Sequence, residues 1–383
     1  MPPIESLSPN DDSNLLREDV KYGQEHDLQT LSIYTRKSPE NQKPLIGAVS
    51  EFTTNSSKIW VIYIHGGAWR DPLVTSSCIL PTTNRLLHSS FESKIFSFAS
   101  INYRLSSHPS FPQDSSSVPK HTYRNAKHPD HIQDICSALS YLQSKYSIQD
   151  RYLLVGHSCG ATLAMQILMG KEFLNSCGVP YESLNFNLPK YFLGVAGIYD
   201  LRLLRDKHPH PAYNDFLTQA FGSNETVWDE VSPAKFPNFE EFGKSGKILA
   251  FATSRDDELV DEKQIDVMLE KAQNFGGGVV VQNLQNILKG AHDEIWKTGD
   301  LADAIDVTSI KSIAVIEQIT NESTPNKKDE TSVPSIDLPI SSVRVPILPV
   351  METVCCVASF MPGYFSGDAY RSIGAGYHSP YER

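Results

Sequence analysis

The chain has 383 residues, with 45 Asp and Glu against 34 Lys and Arg and a formal net charge of −11, a balance that excludes nucleic acid as a partner because the field repels phosphate. Six cysteines, at 78, 136, 159, 177, 355 and 356, show no C-x-x-C or other zinc spacing, so reduced thiols in a cytoplasmic protein are expected rather than disulfides or a metal site. No basic region followed by an apolar core opens the sequence, and no apolar run approaches the ~18 residues of a membrane span, which leaves no signal peptide or membrane partner to expect.

In chain order, the first predicted strand lies near 31–35. The β-branched and aromatic run Ile59-Trp60-Val61-Ile62-Tyr63-Ile64 reads as a buried strand and ends in His65-Gly66-Gly67-Ala68-Trp69. Paired glycines there let backbone N–H groups approach an oxygen closely, as an oxyanion hole requires. A helix fits 81–90 and a strand 95–102, followed by a Ser-, Pro- and His-rich insert at 106–129 and a helix at 130–146. The strand predicted at 151–156 runs into Gly156-His157-Ser158-Cys159-Gly160 and a helix at 159–170. A G-x-S-x-G pentapeptide between strand and helix predicts a nucleophile elbow, in which a serine hydroxyl sits on a strained turn above the sheet. The pentapeptide alone is weak, since short Gly/Ser patterns recur by chance; its weight comes from what precedes and follows it.

A strand at 191–197 precedes a second insert, 201–240, carrying Pro209, Pro211, Pro233 and Pro237. Both inserts are expected to form pocket walls or a small lid, because ligands of open α/β sheets bind beyond the carboxyl ends of the strands. The strand at 247–253 leads into Ser254-Arg255-Asp256-Asp257-Glu258-Leu259, which offers a carboxylate just past a strand end. Asp257 is preferred as the triad acid because it opens an Asp-Glu-Leu-Val step into the helix at 261–274, and Asp256 is the alternative. A strand at 279–283 and a short link reach Lys289-Gly290-Ala291-His292-Asp293, which places His292 on a loop, and a helix is expected at 300–317. The polar run from Asn321 and the Pro-interrupted pieces beyond it divide the chain into a catalytic domain, 1–319, and a tail, 320–383, in which little structure is expected. Truncation after Glu322 is expected to leave activity intact.

Alternating strands and helices imply an α/β fold, a mostly parallel doubly wound sheet with helices on both faces. The order of the candidate groups is oxyanion loop, Ser158, Asp257, His292. That is the α/β-hydrolase order, and it differs from the two common serine-protease orders.

Four segments carry a family resemblance: His-Gly-Gly-Ala-Trp at 65–69, Asn-Tyr-Arg-Leu at 102–105, Gly-His-Ser-Cys-Gly-Ala at 156–161 and Ser-x-x-Asp-Glu-Leu at 254–259. Together they resemble kynurenine formamidase, or arylformamidase, over roughly residues 20–316. The resemblance implies hydrolysis of a small molecule, N-formyl-L-kynurenine, to L-kynurenine and formate, within tryptophan breakdown and, in fungi, NAD synthesis. It also implies a homodimer that uses no metal or organic cofactor. Carried over position by position, it marks Ser158, Asp257 and His292 as catalytic and Gly66, Gly67 and Cys159 as oxyanion donors. Esterases of the hormone-sensitive-lipase type usually carry a third Gly after His-Gly-Gly and an Asp before the serine. Ala68 and His157 stand there instead, which favours the formamidase branch over a general carboxylesterase; a catalytically dead hydrolase fold used for binding is the third reading.

Each residue also has a plainer reading. Ser158 would serve as a small residue in a turn, His292 as a solvated loop histidine, and either aspartate as a helix cap. His65 is read as a hydrogen-bonding support for the Gly-Gly loop. Trp69 divides between core packing and a wall against the substrate ring. Histidines 121, 128 and 131 are read as a solvated loop because their spacing matches no common metal site. The Cys159 thiol is read as incidental to its backbone role, and Arg70, Arg104 and Tyr199 are left without an assignment at the amino-acid end of the substrate.

Overall fold

A computed structural model describes residues 15–37, 58–184, 187–237, 239, 242, 246–275 and 278–308. By internal contacts the chain divides into Met1–Pro325 and Asn326–Arg383. The expected tail, 320–383, and residues 309–317 of the last expected helix lie outside the described residues.

The apolar segments pair into an eight-stranded sheet. Its strands are β1 (Leu15–Lys21), β2 (Thr30–Arg36), β3 (Ile59–Ile64), β4 (Ile95–Ile101), β5 (Tyr152–His157), β6 (Tyr191–Val195), β7 (Lys247–Ser254) and β8 (Val279–Leu288). They lie in the order β1-β2-β4-β3-β5-β6-β7-β8. The pairs β1–β2 and β2–β4 are antiparallel, and β4 through β8 are parallel. Successive strand residues point to opposite faces. Trp60, Ile62 and Ile64 therefore join one hydrophobic cluster and Val61 and Tyr63 the other, and every residue of β3 is buried. Burial on both faces explains why this strand is a continuous apolar run rather than an alternating one.

The helices are α1 (Leu80–Leu86), α2 (Asp130–Tyr146), α3 (Cys159–Leu168), α4 (Gly170–Ser176), α5 (Leu201–Lys207), α6 (Pro211–Phe221), α7 (Glu225–Val231), α8 (Lys263–Ala272) and α9 (Glu294–Lys297). The stretch 301–308 is also helical. In α2, Ile132, Ile135, Ala138, Leu139, Leu142 and Tyr146 fall on one stripe and pack on the same face of the sheet as α3. Leu86 of α1 and Leu301 and Ile305 of the last helical stretch cover the opposite face.

Four expectations need correction. The helix read at 159–170 ends at Leu168, because Gly170 adopts φ 81° and offsets α4 from it. The helix read at 81–90 stops at Leu86. The link after the strand read at 279–283 is itself strand, since β8 stays paired as far as Leu288 opposite Ser254. The insert 201–240, to which no helix is assigned from the sequence, holds α5, α6 and α7. Its prolines start structure rather than break it: Pro211 stands at the first position of α6 and Pro233 at the start of a 3₁₀ turn, where the missing N–H has no partner to lose.

Candidate active site

Strand β5 delivers Ser158 to a tight turn before α3. Ser158 has φ 55° and ψ −125°, a conformation that a non-glycine residue holds only when its surroundings enforce it, at a cost of about 1–3 kcal/mol. Two close approaches enforce it here. A Cβ at Gly156 would lie 2.4 Å from the Gly160 carbonyl oxygen, and one at Gly160 would lie 2.2 Å from the Ile64 carbonyl oxygen. Both glycines of the pentapeptide are thus demanded by backbone contact. The Ser158 N–H donates to Val195 O at 2.9 Å, which fixes the turn to β6.

The loop after β3 faces that turn. Gly67, Ala68 and Trp69 have φ of 92°, 49° and 59° in succession, and a Cβ on Gly66 would lie 3.0 Å from Ser158 Cβ. Arg70 N and Asp71 N both donate to Gly67 O at 2.9 Å and close the turn. Among the described hydrogen bonds outside helices and strands, none is donated by the backbone of Gly66, Gly67 or Cys159. His65 supports the loop as expected: it is buried, its Nδ1–H donates to Gly66 O at 2.9 Å, and its ring stacks on Tyr103 at 4.5 Å. Burial lowers its pKa to about 4, so it stays neutral. Trp69 is core: it is fully buried, edge-on to Phe221 at 4.9 Å.

Asp257 and His292 meet. The two carboxylate oxygens lie 3.0 and 2.9 Å from His292 Nδ1, and the side chains are 3% and 5% exposed. Asp257 Oδ1 also accepts from Leu259 N at 3.0 Å and Val260 N at 2.9 Å, so the loop entering α8 holds the carboxylate in place. Burial would raise its pKa, but the charge and hydrogen bond of His292 and the two amides keep it below the usual value. Burial would likewise lower the His292 pKa, yet Asp257, aided by Asp293 and Glu258, carries it above 6.5. Asp256 takes a different position. It is exposed, and its Oδ2 accepts from Gly290 N at 3.2 Å, while Glu258 Oε2 accepts from His292 N at 3.0 Å and Ser254 Oγ donates to Gly290 O at 2.6 Å. The segment after β7 therefore grips the histidine loop at several points, and Asp257 alone reaches the ring.

His157 links this pair to the elbow. Its Nε2–H donates to His292 O at 3.2 Å, and the two rings are 4.6 Å apart. Burial, with His292 beside it, lowers the His157 pKa to about 3. The structure thus brings His292 against the immediate neighbour of Ser158. Among the described hydrogen bonds none joins Ser158 Oγ to His292 Nε2, a contact that in such sites commonly tightens only in the reacting complex.

Several supporting residues carried no assigned role in the sequence. Asn102 Oδ1 accepts from Ser76 N at 2.7 Å, and Tyr103 OH lies 3.1 Å from His65 O and 3.2 Å from Gly66 O. Their signal was the Asn-Tyr-Arg-Leu segment itself. Arg104 spreads over Asp134 at 3.0 Å and Asp130 at 3.2 Å and ties that segment to α2. Arg70 pairs with Asp215 of α6 and lies over Phe216 at 5.7 Å. Tyr199 is buried, edge-on to Phe251.

The solvated-loop reading fails for two of three histidines: His131 is buried within α2, 3.1 Å from Ser106 Oγ, and His128 lies 3.7 Å from Cys177 Sγ. His121 is exposed. Among the described residues no group of three or more His, Cys, Asp or Glu is placed to hold a metal, and no helix is long and apolar enough to cross a membrane. A cavity of about 280 Å³ flanks the loop on the side of His65, Tyr103 and Arg124; Ser158 and His292 do not line it, so it is distinct from the reacting centre.

Comparison with known proteins places the chain in a family. Residues 50–271 match the family BD-FAE. The kynurenine formamidase-like hydrolase fscH of Fusarium equiseti is 40% identical over 268 residues, covering 68% of this chain and 85% of that protein. The kynurenine formamidase avaC of Aspergillus versicolor is 34% identical over 261 residues, covering 63% and 84%. Among solved structures, an inhibited esterase B from Lactobacillus rhamnosis superposes with a TM-score of 0.56 at 17% identity, covering 81% of this chain and 89% of that one, a likeness of fold.

Proposed function

The chain belongs to the kynurenine formamidase family of α/β-hydrolases, and from that premise we propose that this hydrolase cleaves the formyl amide of N-formyl-L-kynurenine, a step of tryptophan breakdown and NAD synthesis, through Ser158, His292 and Asp257. The observation that carries the mechanism is the buried Asp257–His292 contact at 2.9 Å, set beside the strained turn of Ser158. With Nδ1 engaged by Asp257, Nε2 is the ring nitrogen left to take the Ser158 proton.

Ser158 Oγ attacks the formyl carbon as the proton passes to His292. Negative charge develops on the formyl oxygen, and in this reading the amides of Gly66, Gly67 and Cys159, which donate no described backbone–backbone hydrogen bond outside helices and strands, receive it. His292 then delivers its proton to the departing nitrogen. That nitrogen is an aniline whose lone pair is delocalised into the ring, so it leaves more easily than an alkyl amine. A formyl ester on Ser158 remains, and water activated by the same imidazole releases formate. Every proton in the sequence has a protein group or water to carry it. A homodimer, which rests on the family resemblance alone, and a cytoplasmic location, which rests on the cysteine pattern, belong to the same reading.

Substrate choice is tested by comparing kcat/KM for N-formyl-L-kynurenine with that for p-nitrophenyl acetate. The formyl amide is expected to be the better substrate by orders of magnitude. A strong preference for the ester would replace the formamidase reading with a general carboxylesterase and leave the serine mechanism standing.

A further inference from the structure

The two halves of the proposed oxyanion hole come from different segments, the loop after β3 and the start of α3, and something must hold them in register. The Cys159 side chain is placed to do so. Its Sγ accepts the Trp69 N–H at 3.2 Å and lies 3.6 Å from Tyr103 OH. Tyr103 OH in turn lies 3.1 Å from His65 O and 3.2 Å from Gly66 O, positioned to donate to them. The thiol and phenol thus touch both ends of the loop, its carbonyls at 65 and 66 and its amide at 69. All three side chains are fully buried. Burial raises the thiol pKa to about 11, which keeps a proton on sulfur for Tyr103 while the sulfur lone pair takes the Trp69 amide.

That amide belongs to a residue at φ 59° following another at φ 49°, neither of them glycine. A strained pair of this kind persists only where its neighbours over-determine it. Without an acceptor at sulfur, the Trp69 N–H would be buried with nothing to bond, and the loop would be free to relax toward ordinary backbone angles and carry Gly66 and Gly67 with it.

We propose that the Cys159 thiol is a positioning residue for the oxyanion hole: the residue whose backbone N–H supplies one donor uses its side chain to lock the opposing donors in place. The inference rests on the serine-hydrolase reading of this site and is independent of which acyl group is cleaved. It replaces the expectation that the thiol is incidental. The position admits little else, because a larger side chain would meet Tyr103 and the Trp69 backbone, and an alanine offers no acceptor.

The test compares wild type with Cys159→Ala, Cys159→Ser, Tyr103→Phe and Cys159→Ala/Tyr103→Phe. It uses kcat and KM on p-nitrophenyl acetate, the rate of covalent labelling by a fluorophosphonate, and melting temperature. Loss of one oxyanion donor commonly lowers rate by about 100- to 1,000-fold. A donor that is loosened rather than removed is expected to lower kcat and the labelling rate by about 10- to 100-fold, with KM nearly unchanged. Cys159→Ser, which keeps an acceptor and a donor, is expected to recover most of the loss. The double variant is expected to lose less than the product of the single losses, since both remove the same connection. Wild-type kcat and labelling in Cys159→Ala would overturn the inference. So would a loss that tracks melting temperature and is not recovered by serine, because it would mark a packing role only. Should wild type itself resist the fluorophosphonate, the serine mechanism fails first; a labelled wild type with an equally labelled Cys159→Ala sinks only this inference.

Discussion

Asp257→Asn separates charge and tautomer from shape. The asparagine keeps the volume of the carboxylate, and its anchoring is already determined: Leu259 N and Val260 N both donate to Oδ1, at 3.0 and 2.9 Å. The amide oxygen must occupy that position, since an NH2 group there would face two donors. The NH2 group then falls where Oδ2 lies now, 2.9 Å from His292 Nδ1. A donor at that distance favours the tautomer with a lone pair at Nδ1 and its proton on Nε2, while the oxygen kept at Oδ1, 3.0 Å from Nδ1, no longer carries the charge that stabilises the imidazolium. In that tautomer Nε2 has nothing with which to accept the Ser158 proton. The equivalent change in a protease triad lowers kcat by about 10⁴, or about 5 kcal/mol of transition-state stabilisation. A loss of about 10³- to 10⁴-fold in kcat is expected here, with KM changed little and the melting temperature within a few degrees of wild type. Kynurenine release followed by absorbance reads the effect. Asp256→Asn is the control, because among the described hydrogen bonds that exposed side chain accepts from Gly290 N and does not reach the His292 ring; a loss of several-fold at most is expected. Retention of more than about a tenth of wild-type kcat in Asp257→Asn, or an equal loss in Asp256→Asn, would refute the assignment of the triad acid.

The His292 pKa is raised above 6.5 against the pull of burial, chiefly by Asp257, so kcat/KM should fall as pH drops through a midpoint above 6.5, and a pH–rate profile with its acid midpoint below 6 would contradict this. The same pair has opposite linkage signs: the raised histidine stabilises the fold below its unfolded value and loses that contribution as pH rises through its folded value. Asp257, held below 3.8, stabilises above its unfolded value and loses that contribution as pH falls through its folded one. Gly160→Ala drives a Cβ to 2.2 Å from Ile64 O, a backbone atom that has no room to retreat, so loss of activity together with about 1–3 kcal/mol or more of stability is expected in denaturant titration. Leu139→Ala in α2 empties part of the cluster over the sheet and should lower stability by about 2–5 kcal/mol with the kcat of the folded fraction unchanged.

Much of this architecture was legible because its signals are local. The run at 59–64, rich in β-branched and aromatic residues, reads as a buried strand, and the turn chemistry of Gly156, Ser158 and Gly160 follows from backbone contacts that the sheet imposes. The order of loop, serine, acid and histidine then fixed which strand ends must converge. What was missed depends on contacts distant in sequence. Strand β1 is short and half exposed, and only pairing with β2 makes it a strand. The preference for Asp257 over Asp256 holds, but it is decided by which carboxylate reaches a ring 35 residues further on, a distance no spacing rule supplies. The helices of 201–240 went unassigned because which of its prolines stand at a helix start is visible only once the helices are in place. The thiol of Cys159 looked incidental for the same reason: its partners, Trp69 and Tyr103, stand 90 and 56 residues away.

The central claim is that Ser158 forms a covalent acyl intermediate with the substrate, and Ser158→Ala tests it most directly. Wild type and variant, matched for melting temperature, are incubated with N-formyl-L-kynurenine while kynurenine absorbance is followed. Turnover is expected in the wild type, with a fall of at least about 10³-fold in the variant; a variant that still released kynurenine at the wild-type rate would contradict it.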